Sequence, residues 1–215
     1  MLNATLDTLP TKANLLQWKK STSDKCKLCN GRQTTVHVLS ACPVSLRQDR
    51  FTWRHDGVVN YISDCVDKEK YTCYADLPEK RTNGGTIPPD LLITGQKPDL
   101  VIIDRKKKSI NIFELTVPFE HNIQARNTDK NNRYSSMQTD IQNYKVNLEP
   151  FEIGARGYIS KENRTRLKTI FSFCKKEITL KKFEENIARL AMDGSHYIYL
   201  CRDQTEWTTP PLLTI

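Results

Sequence analysis

The sequence predicts an α/β protein, a mixed central sheet flanked by helices, with a small metal-stabilised module in front of it. Three observations predict this. Two strand-like apolar runs, "DLVIID" (99–104) and "INIFELTV" (110–117), are separated only by the charged turn "RKKKS". Segments with the apolar spacing of amphipathic helices precede and follow them. Residues 26–42 carry a Cys/His cluster but no apolar run long enough to build a core. At 215 residues and 38% hydrophobic content the chain is long enough for one core plus an appendage. The expected division is 1–43 for the module and 44–215 for the main domain.

The module is "CKLCNGRQTTVHVLSAC", in which a CxxC pair is followed by a histidine and a third cysteine. Cys26, Cys29, His37 and Cys42 supply four soft or borderline donors that can wrap one tetrahedral Zn²⁺, and Asn30-Gly31 provides the tight turn such a knuckle needs. A segment this short does not fold by burial, so metal binding is its expected folding energy. Met1–Leu16 lacks the basic-then-apolar pattern of a secretion signal, and no apolar stretch approaches the roughly 18–20 residues of a membrane span. The protein is therefore expected to be soluble and intracellular, where thiols stay reduced and serve better as ligands than as disulfides. Cys65, Cys73, Cys174 and Cys201 are scattered and read as small core residues.

The remaining elements follow in order. Residues 44–66 place Leu46, Phe51, Val58, Val59, Ile62 and Val66 at helical spacing, predicting one long helix weakened in its middle by Gly57. "YTCYADLP" (71–78) predicts a strand, and "EKRTNGGTIPPD" (79–90) a loop. "DLVIID" is apolar throughout, as a central strand covered on both faces should be. "INIFELTV" alternates, putting Ile110, Ile112, Glu114 and Thr116 on one face and Asn111, Phe113, Leu115 and Val117 on the other, with Pro118 as its stop. The two runs predict a hairpin that brings Asp99 and Glu114 to one end of a sheet. Residues 121–147 then read as a polar helix, 151–160 as a strand, and 162–177 and 180–201 as two closing helices.

Asp99 and Glu114 stand where core residues are expected. Burying two carboxylates close together is costly unless a cation offsets their repulsion, and a hard divalent ion such as Mg²⁺ prefers oxygen ligands of this kind. An ion held there generates a nucleophilic water and stabilises charge building on phosphorus. A second reading stays open, in which Asp99 caps its strand after Pro98 and Glu114 pairs with a surface cation. The net charge of +8 makes a polyanionic partner plausible without requiring one. Lys19, Lys20, Lys25, Lys27 and Arg32 around the knuckle suit either a nucleic-acid contact or a plain structural spacer.

Pro98-Asp99, fifteen residues before Glu114, resembles the PD-(D/E)xK site of restriction-like nucleases. The order of "CKLCNGRQTTVHVLSAC", "RHD", "KPDLVIID", "ELTVPFE" and "KNNRY" is similar to the carboxy-terminal region of site-specific non-LTR retrotransposons, in which a CCHC zinc knuckle and a restriction-like endonuclease follow a reverse transcriptase. The resemblance spans about Trp18 to Leu200. It implies a restriction-endonuclease-like fold, zinc on Cys26, Cys29, His37 and Cys42, and a catalytic Mg²⁺ or Mn²⁺ on Asp99 and Glu114. The superfamily lysine is missing, since Thr116 stands two residues after Glu114. The family's KxxKY helix, similar to "KNNRY", nominates Lys130 as the displaced catalytic lysine and Arg133 as its auxiliary, and a helix sets both on one side. Arg54-His55-Asp56 resembles the family's RHN-like element. Arg54 is expected to contact a phosphate, while His55 either joins it or is a buried, hydrogen-bonded histidine. Arg105, Lys106, Lys107 and Lys108 are either a solvated turn or contacts to the DNA backbone.

The resemblance thus implies a Mg²⁺-dependent endonuclease that nicks target DNA in the nucleus, with element RNA as a possible further partner. The competing expectation is a nucleic-acid-binding module without catalysis. The segment before Cys26 is too short for a polymerase, so the chain is expected to be a piece of a longer polyprotein or a domesticated remnant.

Overall fold

In the computed structural model, which describes residues 7–77, 97–120 and 144–215, the expected mixed α/β architecture is present. The elements in chain order are α1 (Lys12–Gln17), a π-helical segment (His37–Ala41), α2 (Pro43–Arg47), α3 (Arg50–Cys65), β1 (Thr72–Ala75), β2 (Leu100–Asp104), β3 (Ser109–Thr116), β4 (Lys145–Glu152), α4 (Lys161–Phe171) and α5 (Leu180–Leu200). The four strands form one sheet in the order β1-β2-β3-β4. β1–β2 and β2–β3 are antiparallel, and β3–β4 is parallel.

The predicted hairpin forms, with Val101 opposite Ile112 and Ile103 opposite Ile110. All five residues of β2 are buried, as its interior place in the sheet requires. The alternation of β3 is realised as two separate apolar layers. Ile110 and Ile112 pack with Tyr74, Val101 and Ile103 on one face. Phe113, Leu115 and Val117 enter the larger core on the other, against Val58, Val59 and Ile62 of α3, Leu167 and Ile170 of α4, and Phe183, Ile187, Leu190 and Ala191 of α5.

Three expectations change. The long helix over 44–66 is two helices, because Asp49 takes a left-handed backbone (φ 57) and breaks the run between α2 and α3. Gly57 does not interrupt α3; it lies against Leu213, where a Cβ would sit 3.9 Å from that side chain. The strand expected over 151–160 is β4, Lys145–Glu152, so residues 145–147 are strand and not the end of a helix. The rest of that expected helix, 121–143, lies outside the described residues. β4 is an edge strand in the described sheet, which explains how Pro150 fits within it despite lacking an N–H.

The carboxy-terminal segment lies along α3. Arg50 donates to the carbonyls of Cys201 (2.7 Å) and Gln204 (2.6 Å), Gln48 to Thr205 O (2.8 Å), and the Trp53 indole to Pro210 O (3.0 Å). Trp53, Tyr197 and Trp207 stack at 5.2–5.8 Å between ring centres.

Candidate functional site

The Cys/His cluster forms as the spacing predicts. Cys26 N–H donates to Gly31 O (2.6 Å), Asn30 N–H to Cys26 O (2.9 Å), and Asn30 adopts the left-handed conformation that turns the chain back. Lys25 and Arg32 close this turn as an antiparallel bridge. The π-helical segment then delivers His37 and leads to Cys42. The ligand atoms of Cys26, Cys29, His37 and Cys42 all lie within 4.8 Å of one another, with Cys29 Sγ 3.3 Å from His37 Nε2.

Three thiols and an imidazole at this separation fit Zn²⁺, whose tetrahedron of roughly 2.3 Å bonds to sulfur sets neighbouring donors a little under 4 Å apart. Gly31 leaves the room, since a Cβ there would stand 3.3 Å from His37 Cε1 and 3.4 Å from Cys29 Sγ. Burial, reinforced by the neighbouring thiols, pushes Cys29 up to about 11. Burial also raises Cys42, but the N–H groups of Ser45 and Val44 and the Ser45 hydroxyl outweigh it and bring the thiol below its ordinary value. Four protein donors leave no open coordination position, so a metal here is structural.

Asp99 and Glu114 meet at the open end of the hairpin. Continuing the β2–β3 register by one residue sets Asp99 opposite Glu114, on the face of Val101 and Ile112. Asp99 N–H donates to Glu114 Oε1 (3.2 Å), and Leu115 N–H donates to Asp99 Oδ2 (2.8 Å). Glu114 is 2% exposed.

His55 projects from α3 onto the same carboxylate. Its Nε2 lies 3.2 Å from Asp99 Oδ2 and its Nδ1 2.9 Å from Asp56 Oδ1. Burial alone would lower the imidazole's pKa; the Asp99 charge, followed by the Asp56 hydrogen bond, outweighs it and lifts the group to about 9. His55 is therefore an imidazolium at neutral pH, clamped between two carboxylates.

Arg54 requires a correction. Expected to face a phosphate, it is 2% exposed and its guanidinium is used inside the protein. Nη1 donates to Leu39 O (2.9 Å) and Ser195 Oγ (2.8 Å), and Nη2 to Val117 O (2.7 Å). Desolvation holds its pKa down at about 10. Consecutive residues on a helix point in different directions, so Arg54 enters the interior while His55 reaches Asp99.

Arg105, Lys106, Lys107 and Lys108 form an exposed turn at the other end of the hairpin from the acids. Five residues of strand separate them, roughly 17 Å at the rise of extended chain. Lys19, Lys20, Lys25, Lys27 and Arg32 are exposed around the knuckle. Lys130 and Arg133 lie outside the described residues.

Nothing in the sequence singled out Glu152. It is the register partner of Thr116, so its side chain emerges beside Thr116 on the face that carries Glu114. Glu152 is 1% exposed; one carboxylate oxygen lies 3.5 Å from Arg166, and the other is buried without a hydrogen-bond partner among the described residues. Among the described residues Thr116 Oγ1 likewise has no partner and is buried.

The fold and the cluster define a mixed α/β protein with a four-stranded mixed sheet and a Cys₃His centre able to hold zinc. No protein-family model matches the chain, and no curated protein matches it. Among the described residues, no helix is long and apolar enough to cross a membrane.

Proposed function

We propose that this protein is a divalent-metal-dependent DNA endonuclease of the restriction-like type, with a zinc knuckle, akin to the nuclease region of site-specific non-LTR retrotransposons. The observation that carries the reading is the juxtaposition of Asp99 and Glu114 on one sheet face with His55 against Asp99. Asp99 and Glu114 would hold Mg²⁺ or Mn²⁺, which when bound supplies a nucleophilic water and charge stabilisation at phosphorus. His55 and the Leu115 N–H both grip Asp99 Oδ2 and so fix the carboxylate's rotation. Lys130 and Arg133 are the proposed cations beside the scissile phosphate. The exposed knuckle lysines and the 105–108 turn would hold the DNA backbone without reading sequence.

The test is nicking of supercoiled plasmid in Mg²⁺ by wild type and Asp99→Ala. Cleavage lost in the variant with DNA binding kept supports the enzyme, and equal nicking by both removes it.

A second reading, a DNA-binding module without catalysis, is favoured by one observation: protein donors already engage both acids, His55 and Leu115 N–H on Asp99 and Asp99 N–H on Glu114. DNA binding by a wild type that never nicks, in Mg²⁺ or Mn²⁺, would select it.

A further inference from the structure

We propose that Arg54 is a positioning residue that couples the Cys₃His centre to the Asp99–Glu114 pair, so that zinc occupancy sets the affinity of the acids for a divalent ion. The inference rests on the endonuclease reading for what those acids bind. The connection itself is made by three hydrogen bonds from one guanidinium.

Leu39, whose carbonyl accepts from Arg54 Nη1, lies between the ligands His37 and Cys42. Val117, whose carbonyl accepts from Nη2, lies three residues beyond Glu114 at the end of β3. Ser195 of α5 accepts the third bond and donates its own O–H to Ala155 O, in the turn after β4. The next residue of α3 is His55, in contact with Asp99. One side chain therefore ties the segment between two zinc ligands to the strand that bears Glu114, on the helix that touches Asp99. Apolar contact follows the same route, as Val38 and Leu39 pack with Phe119, Ala155 and Tyr199.

Only a rigid fork of donors spans three acceptors from three segments, and lysine does not replace it. The helix facing it accommodates it by lacking a side chain: a Cβ on Gly194 would fall 2.6 Å from Arg54 Cγ. Among the described residues no carboxylate makes a salt bridge to the guanidinium, although the Glu120 charge favours its protonated form; two backbone carbonyls and the Ser195 hydroxyl hold the buried charge, and losing one leaves it under-solvated. The position of Leu39 O depends on the metal, because a 17-residue loop from Cys26 to Cys42 has little core of its own. Zinc loss then withdraws one acceptor from Arg54, and the β3 end and the His55 side of α3 relax together.

The coupling is measured as linkage on the full chain. Mn²⁺ affinity, read by electron paramagnetic resonance, is compared in zinc-loaded and zinc-stripped wild type, and zinc affinity is measured by chelator competition with and without saturating Mg²⁺. The expected result is a loss of about tenfold in Mn²⁺ affinity on stripping, and a gain in zinc affinity when Mg²⁺ fills the same acids, since the coupling is reciprocal. In Arg54→Lys both factors collapse toward one while zinc still binds, which a merely structural arginine would not produce. Hydrogen exchange at residues 113–117 reads the same coupling without any activity, and rises on zinc removal. If Arg54→Lys does not fold, the wild-type linkage and exchange decide alone. Unchanged Mn²⁺ affinity and unchanged exchange after stripping overturn the coupling. Mn²⁺ binding that is absent, or indifferent to Asp99→Asn, overturns the endonuclease reading instead, and the exchange measurement still tests the connection.

Discussion

His55 Nε2 stands 3.2 Å from Asp99 Oδ2 while Asp56 holds the opposite nitrogen. An imidazole lifted from 6.5 to about 9 binds its proton more tightly folded than unfolded. Its stabilising contribution is therefore complete below about pH 6.5 and is lost as pH rises through 9. The difference in Tm between wild type and His55→Gln is expected to be largest in mild acid and nearly gone by about pH 10, roughly one unit above the folded value, where only about a tenth of the imidazole keeps its proton. An NMR titration of His55 near its ordinary value would contradict this.

Removing zinc should unfold the knuckle locally. Cys29→Ser is expected to release the metal and raise hydrogen exchange most across 26–42, with a smaller rise at 113–117, while β2 and the first half of β3 stay protected. Gly31→Ala is milder: its methyl crowds His37 and Cys29, and zinc affinity should fall by about 10-fold, the lower end for disturbed ligand surroundings. Zinc content by mass spectrometry and chelator competition checks both.

Gly194→Ala drives a methyl into the stem of Arg54. Urea unfolding should show a loss of about 1–3 kcal/mol, the usual cost of overpacking a tight interior. No loss would mean that α5 shifts without disturbing Arg54.

Thr116, two residues after Glu114, has a buried hydroxyl with no partner among the described residues. Thr116→Val keeps the shape and removes the unsatisfied group, so stability should stay level or rise by up to about 1 kcal/mol. Under the endonuclease reading nicking persists, because the required cation comes from elsewhere. A large loss of stability would show that the hydroxyl is satisfied in solution.

What could be read from the sequence was local. The CxxC–His–Cys spacing lies within one loop, and the alternation from Ile110 to Val117 already sorted β3 into its two apolar layers. What escaped depends on partners far along the chain. Arg54 looked like a surface cation because Leu39, Val117 and Ser195 come together only in the folded molecule. β4 was hidden by Pro150, which reads as a break until its edge position is known. Asp49 does not announce its left-handed turn, since a polar residue at that place is equally at home in a helix surface.

The tail that crosses α3 through Gln204, Thr205, Pro210 and Leu213 acts as a strap over the helix that presents His55. Limited proteolysis in that strap would uncover Trp53 and loosen the seat of the whole helix. Tryptophan fluorescence during such a digest would then report, from the outside, how firmly the interior face of the molecule is held.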